Sequence, residues 1–151
     1  MIRLSKDFRE LLELFNHFCV RYLVVGAYSM SHYGYIRATG DLDLWIDIEK
    51  DNPKKVIQAL NRFGFNFGEH LSDELSKPNK RLVVGQPPLQ VDIMTTIDGV
   101  EFKEAYHVKK VFMIDDLQIS IISYNDLVKN KEQTGRLKDR ADVEELSKRN
   151  R

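Results

Sequence analysis

The sequence predicts an α/β (α+β) protein with a mixed sheet flanked by helices, and three observations support this fold class. Apolar residues near the N-terminus and again after Pro53 recur at helical spacing. Short apolar runs between glycine and aspartate turn signals predict strands. The elements alternate as helix, strand, short helix, strand and helix, followed by several strands and a helical C-terminus. The chain of 151 residues is predicted to form a single domain, residues 1–151.

The first half of the chain is predicted to alternate helices with strands. The first helix is capped by Ser5 and runs to about Cys19, and a strand over 22–25 follows it. Gly26 ends this strand, and a short helix over 27–33 and a loop over 34–40 come next. A second strand is expected over 41–48, followed by a helix that begins near Pro53. Cys19 follows Phe15 at helical spacing, so its side chain is expected in the core.

The second half is predicted to contain more strands and a long helical tail. Turns and a loop are expected over 64–79, strands over 80–84, 89–94, 108–114 and 118–122, and a C-terminal helix that starts at the capping-box pair Ser123 and Asp126. Gly135 is expected to interrupt that helix.

Composition limits the possible partners and location. Lysine plus arginine equals aspartate plus glutamate at 23 each, so a strong global field for nucleic acid is not indicated. No apolar run is long enough to suggest a membrane span. Cys19 is the only cysteine, which excludes an intramolecular disulfide and makes the cytoplasm the expected location.

The segment "VVGAYS" joins a predicted strand to a predicted helix through Gly26. Backbone N–H groups and the helix dipole at such a turn can bind an anion such as phosphate. Gly26 would let a phosphate approach the backbone closely. The alternative is an ordinary strand-to-helix turn.

The segment "DLDLWID" places Asp41, Asp43 and Trp45 on one face of a predicted strand. The two carboxylates are then roughly 7 Å apart, given about 3.3 Å per residue. Together they could share hard cations such as magnesium. The alternative is a solvated face of an edge strand, which Trp45 disfavours because tryptophan requires cover or a stacking partner.

Asp92, in "LQVDIM", is an acid within an otherwise apolar strand. A buried carboxylate is costly without a cation or a hydrogen-bond donor. The interpretations are a third ligand of a two-magnesium site that holds a nucleoside triphosphate, or an ion pair with a lysine or arginine.

These motifs, in this order, resemble the nucleotidyltransferase fold superfamily of DNA polymerase β-like enzymes, over about residues 20–148. Gly26 matches the first glycine of the family pattern, Asp41 and Asp43 match its acid pair, and Asp92 matches its third acid. "R-x-T-x-D-L-D-L-W", with Arg37 and Thr39, and the tail "KNKEQTGRLKDRADVEEL" are similar to the small bacterial and archaeal members.

The resemblance implies a catalytic site. Asp41, Asp43 and Asp92 would be the catalytic residues and the ligands of two Mg²⁺ ions. The nucleotide-binding residues would be Gly26, Ala27, Ser29, Arg37, Thr39, Lys131 and Lys138. Ala27 stands where the family usually has glycine or serine, so it offers a backbone N–H but no hydroxyl, and Ser29 could substitute.

The basic residues of the tail have two interpretations. Lys131, Arg136 and Lys138 could reach the phosphates of a nucleotide. Alternatively they form a solvated helix face paired with Asp139 and Asp142, which lie at i, i+3 spacing.

The function expected from the resemblance is transfer of a nucleoside monophosphate from an NTP to an acceptor hydroxyl, with release of pyrophosphate. The acceptor could be a small molecule, an RNA end or a partner protein, and a second subunit, as in a homodimer, could complete the site. The alternative is a non-catalytic or antitoxin-like member of the fold that binds a nucleotide or a protein.

Overall fold

The computed structural model describes residues 4–36 and 40–150. Within these ranges the helices are α1 Lys6–His17, α2 Gly26–His32, α3 Asn52–Phe63, α4 His70–Glu74, α5 Phe102–His107, α6 Tyr124–Gln133 and α7 Leu137–Arg149. The strands are β1 Tyr22–Val25, β2 Asp41–Ile46, β3 Arg81–Val84, β4 Gln90–Met94, β5 Lys110–Ile114 and β6 Leu117–Ile121. None of these helices combines the length and the apolar character that a membrane span requires.

The strands form one six-stranded sheet in the order β3-β4-β2-β1-β6-β5. Strand β2 is antiparallel to β1 and parallel to β4, and β1 is parallel to β6. Both outer pairs, β3 with β4 and β5 with β6, are antiparallel. The predicted mixed sheet is therefore confirmed, and the acidic strand β2 lies inside the sheet rather than at its edge.

Alternation along β2 separates a hydrophobic face from the face that carries the acids. Leu42, Leu44 and Ile46 have no exposed surface, and they belong to the main hydrophobic core with α1 and α3. On the other face, Trp45 is also buried, because its ring packs edge-on against Phe102 of α5 at a centroid distance of 5.1 Å. Helix α5 therefore shields the Trp45 ring from solvent, although two aspartates lie on the same strand face.

The two predicted helix caps are present. The Ser5 side chain accepts a hydrogen bond from the Phe8 N–H, and the Ser123 side chain accepts one from the Asp126 N–H, each at 3.2 Å. Each bond satisfies a backbone donor that the first turn of a helix leaves without a partner. Gly135 separates α6 from α7 with a φ of +69°, as predicted.

Three local predictions were wrong. Cys19 is exposed, because α1 ends at His17 and Cys19 takes a left-handed conformation with φ +56°. Helix α4 forms within the segment predicted as loop, where the buried Leu75 holds it against the core. The strand predicted to begin at residue 108 begins at Lys110, because helix α5 extends to His107. Its signal was Phe102, Ala105 and Tyr106 at i, i+3, i+4 spacing.

Candidate active site

The turn between β1 and α2 allows a side chain from β2 to approach the backbone. Gly26 has a φ of +66°, and a β-carbon built there would lie 2.0 Å from Oδ2 of Asp43. No other residue type fits both the conformation and the space. In this structure the group that lies close to the Gly26 backbone is the Asp43 carboxylate, and the approach of a phosphate there stays a prediction.

Strand pairing brings the three predicted aspartates together. In the parallel register of β2 and β4, Asp43 lies opposite Asp92 and Asp41 lies opposite Gln90. On its other side, Asp43 is paired with Val25, the last residue before Gly26. The three carboxylates therefore lie side by side in one cleft, close to the start of α2.

The crowding of carboxylates alters the protonation of Asp43. Burial, followed by the negative charges of Asp92 and Asp41, raises the pKa of Asp43 from its ordinary value of 3.8 to about 7. The positive charge of Arg81 opposes this rise without cancelling it. The negative charge at this position is therefore only partly compensated by the side chains around it.

Asp92 has the partner that a buried acid requires. Its Oδ2 accepts a hydrogen bond from Nη2 of Arg81, and its Oδ1 accepts one from Nε2 of Gln90 at 3.1 Å. The ion-pair interpretation of Asp92 therefore applies in this structure. Arg81 was not singled out in the sequence, because only the register of β3 against β4 places it near Asp92.

Basic side chains line the rest of this cleft, which has a volume of about 660 Å³. They come from the region of β3 and from the end of α6 and the start of α7: Lys80, Arg81, Lys131, Arg136 and Lys138. We call this space, with the three aspartates and these basic residues, the carboxylate cleft. Asp139 lines the cleft as well, and all of these basic residues except Lys138 form an ion pair with a nearby acid among the described residues.

Lys131 is held between two buried acids. Its Nζ lies 3.1 Å from Oδ1 of Asp139 and 3.4 Å from Oδ2 of Asp142. Asp139 also accepts hydrogen bonds from Thr134 and, at 2.7 Å, from Nε of Arg136. Burial works against ionisation of Asp139, but these hydrogen bonds and the Lys131 charge outweigh it, so the pKa of Asp139 is lowered.

The ion-pair interpretation of the helical tail is partly correct, and contact of its basic residues with phosphates stays a prediction. Asp139 and Asp142 are ion-paired, as one interpretation required, but they are buried rather than on a solvated face. Arg136 is one of their partners, whereas Lys138 is exposed and lines the cleft. The main partner is Lys131, on the preceding helix.

Of the remaining predicted nucleotide-binding residues that the structure describes, one lines the carboxylate cleft and one does not. Ala27 lines the carboxylate cleft beside Gly26. Ser29 does not line it: its side chain is fully buried, and its hydroxyl donates to the Gly26 carbonyl at 2.6 Å. In this conformation Ser29 therefore cannot replace the hydroxyl that is missing at Ala27. Arg37 and Thr39 lie outside the described residues.

The aspartates have the donor chemistry of a magnesium site. Their ligand atoms are all oxygen, the kind that Mg²⁺ prefers. Burial is the largest cause of the raised pKa of Asp43, and the negative charges of Asp92 and Asp41 add to it. In the described ranges, however, no three acidic, histidine or cysteine side chains are gathered closely enough to hold an ion without moving. The residues therefore fit magnesium in chemical kind, but their placement in this structure does not form a metal site.

Comparison with solved structures identifies the fold. The lincosamide antibiotic adenylyltransferase LnuA, solved with lincomycin, superposes with a TM-score of 0.62 at 18% identity, covering 97% of this chain and 98% of that chain. A candidate nucleotidyltransferase from Thermotoga maritima gives a TM-score of 0.64 at 15% identity, covering 98% and 96%. An antigenic nucleotidyltransferase-like protein from Paracoccidioides brasiliensis gives 0.53 at 14% identity, covering 97% and 77%.

These three similarities span nearly the whole chain. The protein therefore has the nucleotidyltransferase fold, as the order and spacing of its motifs predicted. No model of a protein family matches the sequence, and no curated protein matches it either.

Proposed function

We propose that the protein is a magnesium-dependent nucleotidyltransferase that moves a nucleoside monophosphate from an NTP to an acceptor hydroxyl. The observation that carries this proposal is the carboxylate cleft, in which Asp41, Asp43 and Asp92 lie near an array of basic side chains. A triphosphate is polyanionic and requires both cationic side chains and a site for its metal ions. The nucleotidyltransferase fold supports the same assignment.

The basic residues would bind and orient the triphosphate. Lys131 is positioned by Asp139 and Asp142, while Lys138 and Arg136 are exposed at the cleft and can adjust to the phosphates. The backbone N–H groups of Gly26 and Ala27 would add neutral donors at the start of α2. The chemistry that magnesium supplies, when held by Asp41, Asp43 and Asp92, is neutralisation of phosphate charge.

The transfer is an in-line displacement at the α-phosphorus. The acceptor oxygen forms a new bond to this phosphorus, the bond from it to the bridging oxygen of the β-phosphate breaks, and pyrophosphate leaves. Asp92 takes the proton of the hydroxyl. Because Arg81 neutralises Asp92 in the free protein, the arginine would have to release this carboxylate first and could then contact the phosphates.

Thermal stability with each of the four ribonucleoside triphosphates, with and without magnesium, tests the proposal. A ligand that binds only the folded state adds about 2.7 kcal/mol of stability at a hundredfold excess over Kd. We expect a magnesium-dependent rise in Tm for the wild type and none for Asp43→Ala. No rise with any triphosphate would refute the proposal for the isolated chain.

A second candidate is a nucleotide- or protein-binding module without turnover. The ion pair between Arg81 and Asp92 favours it, because this pair already neutralises one of the proposed catalytic acids. The two functions differ in their dependence on the aspartates. Turnover requires all three carboxylates, whereas binding to a partner should survive the loss of any one of them.

A further inference from the structure

A second cavity continues from the carboxylate cleft along the same face of the sheet. Its volume is about 1150 Å³, against about 660 Å³ for the carboxylate cleft. Thr96 and Ile97 line both spaces, so the two adjoin. Asp43 in the first and Trp45 in the second are two residues apart on the same strand face, which separates them by roughly 7 Å.

One side of this second cavity is aromatic, and we call it the aromatic cavity. Trp45, Phe102 and Tyr106 line it, with Phe102 edge-on to Trp45 and stacked on Tyr106 at a centroid distance of 5.3 Å. Cavities with walls of this kind bind the apolar bodies of small molecules.

The aromatic wall contains an unpaired donor. Trp45 is 1% exposed, and its indole N–H has no hydrogen-bond partner among the residues described. Buried donors without a partner are uncommon in folded proteins. Trp45 lines the aromatic cavity, so a ligand that displaces the side chains covering this N–H could supply its acceptor.

The rim of the aromatic cavity is acidic. Acidic side chains that line it outnumber basic ones by five to three. Arg21 is already paired with Asp47 at 2.7 Å. By contrast, Asp98, Glu101 and Glu104 are exposed, and none of them has an ion-pair partner within 4–36 and 40–150. The cavity thus favours a cation and disfavours a nucleic acid, whose phosphates the rim would repel.

We propose that the aromatic cavity binds the acceptor, and that this acceptor is a small molecule with an apolar ring, a protonated amine and a hydroxyl. This inference rests on the proposed function, because the hydroxyl would be placed at the neighbouring aspartates of the carboxylate cleft. The ring contacts the aromatic wall, and the amine is held by the acids of the rim. The cavity volume of about 1150 Å³ leaves room for such a ligand.

NMR titration with a simple probe tests the inference directly. Trp45 is the only tryptophan, so its indole N–H gives a single resonance that reports on the aromatic cavity. The probe is 2-amino-1-phenylethanol, which carries a ring, an amine and a hydroxyl, and its uncharged N-acetyl derivative is the comparison. We expect the amine to shift the indole resonance with saturation, and the neutral compound to bind about tenfold more weakly, as removal of one modest charge interaction predicts.

Paired variants test whether the rim provides the selectivity. Glu101→Gln combined with Glu104→Gln removes two acids from the rim. Glu132→Gln combined with Glu144→Gln removes two exposed acids of α6 and α7 that do not line this cavity. The first pair should bring the two probes to nearly equal affinity, and the second should leave the preference for the amine unchanged. No shift of the indole resonance, equal binding of both probes to the wild type, or an unchanged preference in the rim variant would overturn the inference.

A titration with ATP and magnesium in the same samples separates this inference from the proposed function. The Gly26 amide resonance reports on the carboxylate cleft. If ATP shifts that resonance while neither probe affects Trp45, the acceptor assignment is wrong and nucleotide binding stands. If the amine binds selectively and ATP does not bind, the acceptor role is refuted together with nucleotidyl transfer.

Discussion

The carboxylate of Asp43 occupies the space that a side chain at Gly26 would need. A β-carbon at Gly26 would lie 2.0 Å from Oδ2 and 2.9 Å from Cγ of Asp43. Gly26 also has a left-handed backbone, with φ +66°. The position of the Asp43 carboxylate therefore requires a glycine in the β1–α2 turn.

Gly26→Ala should therefore both destabilise the protein and displace Asp43. The strained backbone costs about 1 kcal/mol and overpacking a further 1–3 kcal/mol. Gly135→Ala is the matched control, because Gly135 has a similar φ of +69° but nothing described within 4 Å of its added β-carbon. Urea denaturation should show a clearly larger loss for Gly26→Ala, and magnesium–nucleotide binding should be lost only in that variant. Equal losses for the two would show that Asp43 moves away easily.

The raised pKa of Asp43 makes stability depend on pH. The folded protein keeps this proton up to about pH 7, whereas the unfolded chain releases it near 3.8. The folded state is therefore favoured below pH 3.8, and this contribution is lost as pH rises towards 7. Without magnesium at pH 8, Asp43→Asn should be more stable than the wild type by up to about 4 kcal/mol, at about 1.4 kcal/mol per pKa unit.

The same experiment with magnesium should reduce this difference in stability. If Asp43 is a metal ligand, added Mg²⁺ raises the Tm of the wild type at pH 8 and leaves Asp43→Asn unchanged. Wild type and variant that respond equally to pH would contradict the raised pKa. A response of both to magnesium would place the metal elsewhere.

Arg81 should hold the pKa of Asp43 below the value that its other neighbours impose. Its charge opposes the effects of burial, Asp92 and Asp41. We expect Arg81→Gln to raise the pKa of Asp43 above 7, measured from the carboxyl ¹³C resonance during a pH titration. Lys80→Gln is the control, because Lys80 is paired with Glu74 at 3.3 Å and does not contribute to this shift. A fall or no change in Arg81→Gln would contradict the geometry.

Lys131 should be essential for stability as well as for nucleotide binding. Lys131→Met removes the cation between Asp139 and Asp142. Because Asp139 keeps Arg136 and Thr134 as partners, we expect a loss below the roughly 3–5 kcal/mol that a buried charge left alone costs. The exposed Lys138→Met should change the free energy of unfolding by less than about 0.5 kcal/mol. Both variants should weaken triphosphate binding. If urea denaturation gives them the same stability, the buried pairs are not formed in solution.

Local patterns in the sequence were sufficient for much of the fold. Apolar spacing predicted α1, α3 and the strands, and the serine caps at Ser5 and Ser123 were predicted because a cap depends on residues three positions apart. The acids Asp41, Asp43 and Asp92 were identified for the same reason, since an acid in an apolar strand is visible without knowing its neighbours. The turn at Gly26 was also predicted from the sequence, whereas its contact with Asp43 was not.

Tertiary structure alone decided which basic side chains pair with the buried acids and which aromatic side chains pack beside them. Arg81 reaches Asp92 only through the register of β3 on β4, and Lys131 reaches Asp142 only because α6 and α7 pack together. Trp45 and Phe102 meet although they are far apart in sequence. Helical and strand spacing constrain residues within a few positions of one another, whereas these contacts depend on how whole elements pack, which no local pattern encodes.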